Sequence, residues 1–114
     1  MKSILYLVRK LPGTLANETI DMVLVSGVFG QPTTVVFMDD GVFQLIGDGE
    51  KIQRKDSAKK WTALPAYDID KVLVHLPSLA QRNIPDTKLP NFVSLASDSE
   101  LQDALREANC VVSD

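Results

Sequence analysis

Residues 31–45 read Gln31-Pro32-Thr33-Thr34-Val35-Val36-Phe37-Met38-Asp39-Asp40-Gly41-Val42-Phe43-Gln44-Leu45. Gln31-Pro32 is a turn signal. Thr33–Met38 is a short, unbroken run rich in β-branched and apolar residues. Such a run fits a strand buried on both faces, as in a parallel sheet. Its exit is abrupt, because two aspartates follow directly. Asp39 is expected to cap a short helix beginning near Asp40, its carboxylate accepting the free backbone N–H groups there.

The same pattern recurs on both sides of this stretch. Residues 3–8 form an apolar run suited to a first strand, and Pro12-Gly13 break the chain after it. Residues 15–29 have helical length and no proline. Ile20, Val23, Leu24 and Val28 fall on one face, and Met22, Val25 and Phe29 on another. A helix apolar on two faces is more buried than one sheet explains, so a partner subunit is expected over the second.

The polar stretch from Gly47 to Lys60 is predicted as a loop leading into a helix from Asp56 to Leu64, ending near Pro65. Lys71–Leu76 is the third predicted strand, and Pro77 suits the first turn of a helix from Ser78 to Arg82. Asn91–Leu95 is the fourth. Ser97 or Asp98 caps a helix running to about Ala108, and Cys110-Val111-Val112 is a short last strand.

Strand and helix therefore alternate along the chain, which implies parallel strands joined by right-handed crossovers. The expected class is α/β: one domain over residues 1–114, a small flavodoxin-like three-layer αβα sandwich on a mostly parallel sheet of about five strands. In such sheets ligands gather at the carboxyl ends of the strands. That selects Arg9 to Gly13, Met38 to Gly41, and His75 to Pro77 as the places to look.

The 114 residues suit a single domain. A content of 45% hydrophobic and 24% charged residues permits a core without a membrane-like composition. The net charge of -3 argues against general nucleic-acid binding. One cysteine, Cys110, excludes an intrachain disulfide, and no zinc-ligand spacing is present. No apolar run approaches a membrane span or a signal sequence, so a cytoplasmic setting is expected.

Few side chains carry recognisable chemistry. Asp39 and Asp40 could hold a metal or do acid–base work, yet no other carboxylates cluster at the predicted strand exits; capping is the simpler reading. His75, the only histidine, sits at a strand exit, where a base would be useful or where it is simply structural. Lys10, Asp39, Asp40 and His75 are the candidate crevice residues. They suit either a stand-alone homo-oligomeric ligand-binding protein or a small enzyme with His75 as base and an aspartate partner. Cys110 lies among apolar neighbours and is expected to be buried and inert. Lys51, Arg54, Lys55, Lys59 and Lys60 run up to Trp61, a basic and aromatic mixture that could hold phosphates but reads first as a solvated helix face. Pro12-Gly13-Thr14 matches no phosphate-loop pattern. Neither metal nor cofactor is expected.

The string Phe37-Met38-Asp39-Asp40-Gly41-Val42-Phe43-Gln44-Leu45 resembles the strand-exit motif of the DsrE/DsrF-like sulfur-relay proteins, and most of all the DsrF/TusC branch. Pro12-Gly13-Thr14, Tyr67-Asp68-Ile69-Asp70 and Ser78-Leu79-Ala80-Gln81-Arg82-Asn83-Ile84 extend the likeness over nearly the whole chain. The resemblance implies a subunit of a cytoplasmic persulfide relay serving tRNA 2-thiolation or sulfur oxidation. It also implies assembly with DsrE/TusD-like and DsrH/TusB-like subunits, through an interface for which Met22, Val25 and Phe29 are candidates. A small carrier of the TusE/DsrC type would receive the sulfur. Two departures stand out. The DsrE/TusD branch carries its sulfur on a cysteine at the third-strand exit, where this chain has His75. Asn83 stands where the family tends to have glycine, which asparagine can replace in a left-handed backbone. The resemblance thus implies an accessory subunit without its own sulfur-carrying residue.

Overall fold

A computed structural model describes residues 2–11, 14–46, 59–69 and 71–114. Five strands form one sheet: β1 (Ile4–Val8), β2 (Thr33–Phe37), β3 (Lys71–His75), β4 (Ser94–Ala96) and β5 (Cys110–Ser113). Their order is β4-β3-β2-β1-β5, and every neighbouring pair is parallel. The helices described over their full length are α1 (Thr14–Val28), α2 (Leu76–Gln81) and α3 (Asp98–Glu107), and residues 59–61 are helical as well. Three 3-10 segments, Asp39–Leu45, Leu64–Tyr67 and Asp86–Lys88, join them. No helix among the described residues is long and apolar enough to cross a membrane.

Side chains alternate across each strand, and this separates two cores. Tyr6, Val8, Val35, Phe37, Val72 and Val74 face Ile20 and Val23 of α1, together with Trp61, Leu64 and Leu79. Leu5 and Val36 face the other way and meet Leu101 of α3, with Leu73 partly buried beside them. From β1 to β4 the chain steps in one direction, with its helices on one face. The connection from β4 to β5 runs back across the sheet, which puts α3 on the opposite face. Neighbouring β3 and β4 therefore send their exits to opposite faces, which makes their carboxyl ends a topological switch point.

Several boundaries differ from the sequence expectation. The fourth strand is Ser94–Ala96, whereas residues 91–95 were expected; Asn91 and Phe92 form a turn ahead of it. The helix expected to end near Pro65 is present at residues 59–61 and stops at Trp61, before the proline. Pro65 lies in the first turn of the 3-10 segment, where a missing N–H costs nothing. The expected helix start at 56–58 and the loop 47–55 lie outside the described residues. Val28 is 66% exposed and does not share the buried face of Ile20 and Val23. Met22, Val25 and Phe29 are exposed as well, so α1 shows one buried stripe and one broad exposed apolar stripe. Pro77 does open α2, and Asn83 does adopt a left-handed backbone at φ 54.

Candidate functional site

The β2 exit is held from three sides. Asp39 has φ 51, a left-handed conformation that aspartate tolerates. It does not cap the following segment: Met38 occupies the cap position, with no side-chain cap bond. Instead the Arg9 Nε donates to Asp39 Oδ2 at 3.0 Å, and the Arg82 Nε donates to Asp40 Oδ1 at 3.2 Å. The expected cap is thus replaced by two ion pairs, because guanidinium groups from the β1 and α2 exits reach both carboxylates first. Arg82 also donates through Nη1 to the Ser78 carbonyl.

Gly41 lies against the end of β1. A Cβ there would stand 1.8 Å from the Val8 carbonyl oxygen, so no other residue fits without moving the backbone. Gln44 is fully buried. Its Nε2 donates to the Lys10 carbonyl at 2.9 Å, and its Oε1 accepts the Trp61 indole N–H at 3.0 Å. One carboxamide therefore satisfies a donor and an acceptor brought in from two other segments. Lys10 joins this arrangement through its backbone, and its side chain is exposed. Trp61 is 0% exposed and packs edge-on against Phe37 at 4.9 Å. It therefore cannot stack on a nucleobase beside Lys59 and Lys60, which removes the aromatic partner a phosphate-binding reading would need.

His75 closes β3 at the switch point. Its side chain is 11% exposed. Nδ1 lies 2.7 Å from Ser78 Oγ, and Nε2 lies 2.5 Å from Asp98 Oδ1. Ser78 Oγ also accepts the Asp39 backbone N–H at 2.9 Å. Since a carboxylate only accepts, Nε2 carries the hydrogen donated to Asp98. In the neutral ring Nδ1 is then left to accept the Ser78 O–H. A single chain of hydrogen bonds thus runs from the β2 exit through α2 and β3 to the first residue of α3.

The chain contains a serine, a histidine and an aspartate, but their environments are those of a catalytic triad reversed. Ser78 is 1% exposed, and its oxygen is already engaged from two sides. Asp98, the member a hydrolase buries, is 73% exposed. Nor do Asp39 or Asp40 pair with the ring, as a base-and-aspartate reading requires; both serve arginines. No group of three metal-ligating side chains occurs among the described residues. Beside His75 a shallow hollow of about 490 Å³ is lined by Leu76, Pro77, Ala80, Ser97, Asp98 and Ser99.

Asp98 was foreseen only as a possible helix cap. Ser97 takes that role, accepting the Glu100 N–H while the Glu100 carboxylate accepts the Ser97 N–H. That frees Asp98 to turn toward His75. Nothing in the sequence links residues 75 and 98 except their adjacency across the predicted third and fourth strands.

Cys110 is exposed, contrary to expectation. It opens β5, an edge strand, and is paired with Ile4 at the amino end of the sheet. His75 lies at the carboxyl end, on the opposite rim.

The chain belongs to the DsrE/DsrF-like family, whose model matches residues 2–113. It is 32% identical to a TusC homolog of Pseudomonas aeruginosa, covering 97% of both chains. It is 36% identical to TusC of Escherichia coli O8, covering 93% of this chain and 90% of that one. The intracellular sulfur oxidation protein DsrF of Allochromatium vinosum is 28% identical, over 99% of this chain and 96% of its own. In fold, the chain is similar to the crystal structure of the ychN protein of E. coli, with a TM-score of 0.77 over the full length of both at 16% identity.

Proposed function

We propose that this chain is an accessory, non-sulfur-carrying subunit of a cytoplasmic sulfur-transfer complex. Its likeness to TusC and DsrF proteins supports the pathway. The observation that carries the accessory role is the occupied β3 exit: imidazole stands there, fixed by Ser78 and Asp98, and imidazole does not hold a sulfane sulfur stably. The chain's single thiol stands at the far rim, where no other part of this site can reach it.

The exposed stripe of Met22, Val25, Val28 and Phe29 supplies the assembly surface in this reading. Its partners are DsrE/TusD-like and DsrH/TusB-like subunits, and the complex delivers sulfur to a TusE/DsrC-like carrier for tRNA thiolation or sulfur oxidation.

The test is incubation of the purified chain with a cysteine desulfurase and cysteine, followed by intact-mass spectrometry. The unmodified mass is expected. Stable addition of a sulfur atom to Cys110, lost in Cys110→Ser, makes the chain a carrier and overturns the accessory reading.

A further inference from the structure

The carboxyl rim of the sheet carries one continuous series of polar contacts that touches all five strand exits. Asp114, after β5, accepts the Arg9 backbone N–H at 2.9 Å. Arg9, after β1, donates to Asp39, after β2. The Asp39 backbone N–H reaches Ser78, Ser78 reaches His75 at the end of β3, and His75 reaches Asp98, two residues beyond β4. Histidine is the one side-chain type in this series whose charge ordinarily changes near neutral pH.

Ser78 is where such a change has a structural consequence. Its hydroxyl has one hydrogen and two lone pairs. With the ring neutral, the hydrogen goes to Nδ1, and one lone pair accepts the Asp39 N–H. With the ring protonated, Nδ1 becomes a donor and takes a lone pair, so the hydroxyl hydrogen must turn elsewhere. Ser78 is 1% exposed, and among the described residues its Oγ has no third polar partner. The direction from which water is within reach is that of the Asp39 N–H, which is only part-buried. Two donor hydrogens cannot share it. The charged ring is the stronger donor and its nitrogen is buried, so the backbone bond is the one that yields. Asp39 is held at φ 51, and loss of this bond frees a strained backbone.

From this geometry we infer that His75 and Ser78 form a proton-operated latch: uptake of a proton by His75 reverses the Ser78 hydrogen bond and releases the Asp39 backbone N–H at the β2 exit. The other charged groups on the first turn of α3, the end of α2 and the β2 exit are engaged elsewhere. Arg82 holds Asp40, Arg9 holds Asp39, and Glu100 holds the Ser97 N–H. From β4, uncharged Ala96 stands beside His75. Asp98 is bonded to Nε2 in both states and keeps the ring in place while Nδ1 changes role. The latch needs only these contacts and does not depend on the sulfur-transfer reading.

The experiment follows the full chain by 15N NMR from about pH 8 to about pH 5 at fixed ionic strength, reading the ring nitrogens of His75 and the backbone amide of Asp39. At high pH the ring is expected as the Nε2–H tautomer. As it takes up a proton, the Asp39 amide proton should shift upfield with the same midpoint. Its protection from solvent exchange, corrected for the intrinsic pH dependence, should fall by about fivefold, the worth of one ordinary hydrogen bond. Asp98→Asn, on an exposed residue, keeps an acceptor for Nε2 and removes the charge. It should move the ring midpoint to lower pH, and the Asp39 amide should move with it. A response that belonged to the Asp39 carboxylate would not follow the ring in this way. An Nδ1–H tautomer at high pH, a ring that stays neutral over the whole range, an Asp39 amide that keeps its protection through the ring titration, or an Asp39 midpoint that stays put in Asp98→Asn each overturns the proposal.

Discussion

Gln44 and Trp61 share one buried hydrogen bond of 3.0 Å, and through the other end of the same carboxamide the indole is linked to the backbone of Lys10. The three segments leaving β1, leaving β2 and entering the 3-10 turn before β3 therefore meet at a single side chain. Replacing Gln44 with leucine keeps much of the volume but strands the indole N–H and the Lys10 carbonyl. At about 1–3 kcal/mol for each unsatisfied group, Gln44→Leu should cost about 2–6 kcal/mol. Urea unfolding followed by the fluorescence of Trp61, the sole tryptophan, measures it directly.

Gly41→Ala should be more damaging than its single methyl group suggests. The clash at 1.8 Å is with backbone, and no rotamer relieves it. A loss of about 3 kcal/mol or more is expected, at the upper end of overpacking costs. The same urea midpoint checks it, and Gly30→Ala provides the contrast: open space surrounds that site, so only its left-handed backbone is penalised, by about 1–2 kcal/mol.

The His75 chain should respond unequally along its length. Ser78→Ala leaves the half-buried Asp39 N–H and the buried ring nitrogen without their partner and should cost about 2 kcal/mol. Asp98→Ala removes a side chain that is mostly solvated, so its cost should stay below about 1 kcal/mol. Denaturation midpoints of equal size for the two variants would contradict the view that the chain is anchored at its serine end.

Much of this fold could be read before any coordinates, for a physical reason. The first three strands are short apolar runs bounded by turn residues, so composition alone separates them from their surroundings. A helix cap at Ser97 or Asp98 and the proline at the start of α2 were legible because both depend on local spacing, though the choice of Ser97 was not. What escaped depended on tertiary contact. Asp39 looked like a cap until Arg9, thirty residues away, competed for it. Gln44 gave no sign of its importance, since a lone glutamine in a strand-exit string has no pattern. Cys110 was misjudged because its apolar neighbours suggest burial, whereas an edge strand leaves one side open to water.

Val25→Glu and Phe29→Glu should leave the fold intact, because both side chains are more than half exposed; changes within about 0.5 kcal/mol are expected. If the α1 stripe is the assembly surface, the same substitutions should shift the protein to smaller species in light scattering, either alone or mixed with its partner subunits. Unchanged assembly would remove α1 from the interface.

The first and last strands lie side by side and parallel, with Ser3 bonded to Asn109 at one end and Arg9 to Asp114 at the other. A force applied across residues 3 and 114 therefore pulls β1 and β5 lengthwise past each other, loading every rung of their ladder at once. Hydrogen bonds sheared together give way at far higher force than bonds peeled one by one. The domain should behave as a mechanical clamp, stiff along the one axis on which its ends are drawn apart.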